Sequence, residues 1–111
     1  MSKLNVLWTT DNYETAANMI YMYTTNSKLN HWWDEVQVII WGASAKLVAE
    51  DERIQESVRQ MIHLGIDVIA CKGCSDNLGV SDKLVKLGVD VKYYGVGLTE
   101  ILQGDEKLIT I

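Results

Sequence analysis

Asp67–Val80 reads DVIACKGCSDNLGV, and the architecture of the whole chain turns on how this stretch divides. Ile66 to Ala70 is a short apolar run rich in β-branched residues, the pattern of a buried strand. Cys71 closes the run, Cys74 follows three residues later, and a short helical segment is expected from about Cys74 to Leu78. A strand that passes within a few residues into a helix is half of a βαβ unit, and such units stack into parallel sheets.

The same unit recurs on both sides. Upstream, Leu4–Thr10 (LNVLWTT) reads as a strand. Asp11 stands three residues before Glu14, a capping-box spacing that opens a helix over about 12–27, with Ala16, Met19, Ile20 and Tyr23 on its apolar face. Val36–Trp41 is a second strand, and Gly42-Ala43-Ser44 turns into a helical region where Ile54, Val58, Met61 and Ile62 recur at helical spacing up to Gly65. Downstream come a helix over Asp82–Leu87 stopped by Gly88, a strand over Val89–Tyr94, a short helix over Leu98–Leu102 and a last strand over Lys107–Ile111. The alternation predicts one α/β domain, residues 1–111, with a five-stranded, mainly parallel sheet and helices on both faces. The near-continuous apolar strands suit a sheet covered on both sides.

In such a sheet every strand-to-helix loop lies at the carboxyl edge, where ligands bind. That edge should gather Asp11 and Asn12, Gly42 and Ser44, Cys71 with Lys72, Gly73 and Cys74, and Gly97 of the Gly95-Val96-Gly97 turn. His31-Trp32-Trp33, in a helix-to-strand connection, belongs to the opposite edge. Asp11 reads either as a crevice residue or as a helix cap, and Gly42 with Ser44 either as a small anion-binding turn or as a tight connection. Gly95-Val96-Gly97 continues as Leu98-Thr99-Glu100, so it does not complete a dinucleotide fingerprint.

Composition narrows the partners. The 111 residues are 48 % apolar and 23 % charged, with a formal charge of −5 and no basic stripe, so a nucleic-acid partner is not expected. No apolar run approaches the ~20 residues of a membrane helix, and the first residues lack the apolar core of a signal peptide. A cytoplasmic setting is expected, in which thiols stay reduced.

Four readings compete for Cys71 and Cys74. A thioredoxin-type dithiol fits a CxxC between strand and helix, but such sites place a cis-proline beside the disulfide and this chain has no proline. A zinc site needs about four ligands, and His31 and His63 are not placed to complete one, so no metal is expected. A nucleophilic Cys71 suits the start of a helix, whose free N–H groups and dipole favour a thiolate, with Lys72 adding positive charge and Asp76 opposing it. Acyl transfer would require a positioned base, which no histidine supplies. Packed, unreactive thiols remain the fourth reading, since cysteine often behaves as a small buried hydrophobe.

Cys71, seven intervening residues and Gly79-Val80 resemble the segment around the reactive cysteine of the DsrE-like (DsrE/DsrF, YchN-like) family. The resemblance extends through LNVLWTTDN, VIIWGASAKLVAED, KLVKLGVDVKYYGVGLTEIL and KLITI, nearly the full length. It implies a three-layer α/β/α fold and homo- or hetero-oligomers, often trimers or hexamers. It also implies a sulfur carrier or sulfurtransferase-like protein that holds a persulfide on Cys71, needs no cofactor, and works between sulfur-donating and sulfur-accepting proteins. Cys74 lies outside the general family pattern; it fits either a resolving thiol or a local variation. The alternatives are a non-enzymatic homo-oligomeric binding or assembly module, using the carboxyl-edge crevice or the Trp32-Trp33 surface, and a Cys71–Cys74 dithiol redox protein.

Overall fold

A computed structural model describes residues 2–111. The strands are β1 (Lys3–Trp8), β2 (Glu35–Ile40), β3 (Asp67–Cys71), β4 (Asp90–Lys92) and β5 (Lys107–Thr110). They form one sheet in the order β4-β3-β2-β1-β5, with every pair parallel. A continuous helical rod joins β1 to β2: α1 (Tyr13–Thr15), a π-helical stretch (Ala16–Tyr21) and α2 (Met22–Leu29). α3 (Ala43–Glu50) and α4 (Glu52–His63) join β2 to β3, α5 (Lys72–Asn77) and α6 (Ser81–Leu87) join β3 to β4, and α7 (Gly95–Gln103) joins β4 to β5.

Strand order dictates how the helices are shared between the faces. From β1 to β4 the chain steps across the sheet in one direction, so right-handed crossovers put all the intervening helices on one side. The step from β4 to β5 crosses back past β1, which sends α7 to the other side. The thick side holds the main core, where Leu4, Val6, Trp8, Val36, Val38, Ile40, Val68 and Ala70 meet Ile20, Val48, Ile54, Val58, Met61 and Leu84. Each fully buried side chain of this size contributes roughly 1.5–3 kcal/mol. The alternate strand residues, among them Asn5, Gln37, Ile39, Ile69 and Cys71, turn to the thin side under α7, where Ile101 is buried.

Several element ends differ from the sequence-based expectation, each for a local reason. The first helix is capped by Asn12, whose Oδ1 accepts from the Thr15 N–H at 2.9 Å; Asp11 is exposed one residue earlier and makes no capping box. β4 stops at Lys92 rather than Tyr94, because Lys92 pairs with Cys71, the last residue of β3, and beyond it no neighbour is left to bond. The chain coils at once, so Gly95-Val96-Gly97 is the first turn of α7 and not a loop, closed by the Leu98 N–H on the Tyr94 carbonyl at 2.8 Å. α5 begins at Lys72, earlier than expected. Its first turn is held by the Ser75 hydroxyl donating to the Cys71 carbonyl (2.8 Å) and by the Lys72–Asp76 ion pair (2.7 Å). Within the acidic run Glu50-Asp51-Glu52, Glu50 ends α3 and Asp51 caps α4 through the Arg53 and Ile54 N–H groups. The edge strands β4 and β5 are three and four residues long and carry Asp90, Lys92 and Lys107, features that discourage further strand pairing.

Candidate functional site

Cys71 ends β3 and occupies the N-cap position of α5 with extended backbone (φ −62°, ψ 114°), its sulfur capping no helix N–H. It is 8 % exposed, and it is a free thiol, as is the half-buried Cys74. The first turn of α5 brings Cys74 close to Cys71 and to the Gly42 backbone. Burial pushes the Cys74 thiol above its ordinary pKa, and the hydrogen bond shared with Cys71 pushes it further the same way; the Gly42 N–H acts against both. A Cys74 that holds its proton can donate it to a thiolate at Cys71. A side chain at Gly73, between them, would reach the Cys71 sulfur at an ordinary van der Waals distance of 3.9 Å.

The other expected site residues divide sharply. Gly42 joins the thiols, and its backbone (φ 70°, ψ −133°) is one that only glycine adopts readily. This turn places the Gly42 backbone close to Cys74. Ser44 does not form an anion site: it is wholly buried, donates to the Trp8 and Trp41 carbonyls and accepts from the Trp41 N–H, so its hydroxyl ties β1 to β2. Lys72 turns towards Asp76 and lies 5.6 Å from the centre of the Tyr93 ring. Its ammonium is held in an exposed ion pair rather than directed at the thiols. Asp11 and Asn12 follow β1, which is separated from β3 by β2; with strands ~4.8 Å apart the two ends are about 10 Å apart. Gly97 packs against the Tyr94 ring on the thin side and takes no part in the edge. Among the described residues no group of three or more His, Cys, Asp or Glu side chains could hold a metal ion.

At the opposite edge, His31 takes a positive φ of 56° in the turn. The adjacent tryptophans part there: Trp33 donates to the Tyr23 hydroxyl at 3.1 Å, while Trp32 is 56 % exposed with its ring centre 6.0 Å from that of Tyr23. Sequence reasoning missed the polar residues of the thin side, Asn5 and Gln37, although both stand out as polar positions within apolar strands.

The structure is thus a five-stranded parallel α/β sheet ordered 4-3-2-1-5, with a cysteine at the carboxyl end of β3. The conserved protein of unknown function BT1422 from Bacteroides thetaiotaomicron is 45 % identical to the chain, covering 99 % of it and 95 % of its own length, with a TM-score of 0.97. The ychN protein of E. coli matches the whole of both chains at a TM-score of 0.75 and 19 % identity. MTH1491 from Methanobacterium thermoautotrophicum, a protein of unknown function, does so at 0.80 and 18 %. The chain belongs to the same family as the Bacteroides protein and has the YchN/DsrE-like fold. No family profile matches the chain, and no curated protein does. No helix among the described residues is long and apolar enough to cross a membrane.

Proposed function

We propose that the protein is a sulfur carrier that holds sulfane sulfur as a persulfide on Cys71. The observation that carries this reading is a free Cys71 at the carboxyl end of β3, with a second free thiol, Cys74, in the first turn of α5 beside it. The Cys71 thiolate attacks the outer sulfur of a donor persulfide. A new S–S bond forms on Cys71 as the donor's S–S bond breaks, and the donor leaves as a thiolate. An acceptor thiolate then takes the outer sulfur by the same exchange and returns Cys71 to its starting state, with no net oxidation. Cys74 opens a second route: its attack on the inner sulfur expels hydrosulfide and leaves a Cys71–Cys74 disulfide, which a dithiol must reduce. No cofactor enters either route. The donor and acceptor are proteins, the setting is cytoplasmic, and the working form is a homo-oligomer, a trimer or hexamer.

A second reading, a non-enzymatic assembly module, draws on a different observation. Cys71 is nearly covered, while Tyr93, Val96 and Leu102, in and just before α7, are 74 %, 76 % and 65 % exposed. Intact-protein mass spectrometry of wild type, Cys71→Ser and Cys74→Ser after treatment with a sulfane-sulfur donor separates the two. Added sulfur that maps to Cys71 and is lost in Cys71→Ser supports the carrier. No added sulfur, with Cys71 also inert to a thiol reagent in the folded protein, refutes it in favour of the module.

A further inference from the structure

The thin face of the sheet carries a buried polar chain whose direction is fixed. Asn5 Nδ2 donates to the Lys107 carbonyl and to Glu106 Oε1, both at 3.1 Å. Because a backbone carbonyl can only accept, Asn5 must present its oxygen to Gln37, and Gln37 must donate its Nε2 there (3.2 Å) and to the Tyr94 hydroxyl (2.9 Å). Both protons of the Gln37 amide are thus committed, and its Oε1 is left as an acceptor without a partner among the described residues. Gln37 is 5 % exposed, yet no buried side-chain polar atom among the described residues lacks a partner. Its Oε1 is therefore not sealed from solvent, and Gln37 borders a groove of about 440 Å3.

The groove runs along β3 and β4 from the turns at Gly65 and Gly88, also bordered by Asp67, Ile69, Asp90 and Lys92. Its size is that of a small-molecule site. Asp67 stands level with Gln37 on the neighbouring strand, so their side chains lie side by side on the same face. Asp90 is paired with Lys92 at 3.0 Å, whereas Asp67 makes no ion pair among the described residues. The lining therefore keeps a net charge of −1 and offers one carboxylate without an ion pair and one unpartnered amide acceptor. Asp67 begins β3 and Cys71 ends it, about 13 Å away at strand rise, so this site is separate from the thiols.

We propose that the groove binds a small organic cation bearing N–H donors, seated between the Asp67 carboxylate and Gln37 Oε1. Amide NMR titration of the full chain with propylammonium tests this, alongside tetramethylammonium (no N–H donor) and propionate (opposite charge). Saturable shifts of the Gln37 side-chain amide and of the Asp67 and Asp90 backbone amides are expected with propylammonium alone. Asp67→Asn, an exposed change that the fold tolerates, should weaken binding about tenfold while leaving sulfur uptake at Cys71 intact. Equal shifts with propionate or tetramethylammonium, no saturation, or unchanged binding in Asp67→Asn would overturn the proposal. So would shifts of these residues that follow protein concentration and block the probe, which would make the groove an interface between copies of the chain.

Discussion

Replacing Gly97 with alanine inverts the usual consequence of filling a helical glycine. A Cβ at Gly97 would lie 2.6 Å from two carbons of the Tyr94 ring and 2.9 Å from a third, so the ring must move. It is not free to do so cheaply: its hydroxyl accepts from Gln37 Nε2, and its ring lies 5.7 Å from the Lys92 ammonium. Displacing it loses a hydrogen bond of about 1 kcal/mol and leaves one proton of a buried amide unpaired, about 1–3 kcal/mol more. Against this, alanine in place of glycine gains up to ~1 kcal/mol of helix propensity. The balance is a loss of about 1–3 kcal/mol, or roughly 5–15 °C in melting temperature for a domain of this size. Urea denaturation of a double-mutant cycle reads it directly. In a Tyr94→Ala background the obstruction is gone, and Gly97→Ala should turn neutral or stabilising. A wild-type background in which Gly97→Ala is neutral or stabilising would refute the packing argument.

Other perturbations have equally definite outcomes. Asp51→Ala should cost about 1 kcal/mol at neutral pH, as loss of an N-cap does. Arg53 beside the Asp51 carboxylate holds it below the usual carboxylate range, so its contribution is complete above the unfolded value of ~3.9 and fades as pH falls through the lower folded value. Urea midpoints of wild type and variant should converge in that acid window. Gly42→Ala forces a side chain into a backbone region reserved for glycine and should cost about 1–3 kcal/mol by the same assay. Alkylation of Cys74 should rise with pH only above the ordinary thiol range, and Cys71→Ser, which removes the second sulfur that raises Cys74, should shift that rise to lower pH. Rate profiles that coincide in wild type and Cys71→Ser would show that the two thiols are not coupled.

Much of this architecture was legible before any coordinates. Apolar periodicity located the five strands and the main helices, because alternation and helical spacing are local consequences of burying one face. It placed Cys71 at a carboxyl edge for the same reason. Element ends were less legible where a neighbour decides them: β4 is cut short by the end of β3, and α7 takes up the residues left over. Glycines read as site turns proved to have separate jobs, Gly42 at the thiols and Gly97 under an aromatic ring. Nothing in their immediate neighbours distinguishes the two.

Sequence alone determined the α/β class, the parallel sheet and the cysteine at the end of a strand, all properties carried by residues close together in the chain. Only the tertiary structure decided that one face of the sheet is thick and the other thin, since that follows from the order in which strands pair. It alone brought Gly42 close to Cys74, spent the Ser44 hydroxyl on the β1–β2 junction, and fixed the direction of the Asn5–Gln37–Tyr94 chain. Those outcomes depend on groups 30 to 100 positions apart, brought within hydrogen-bonding distance by packing rather than by local preference.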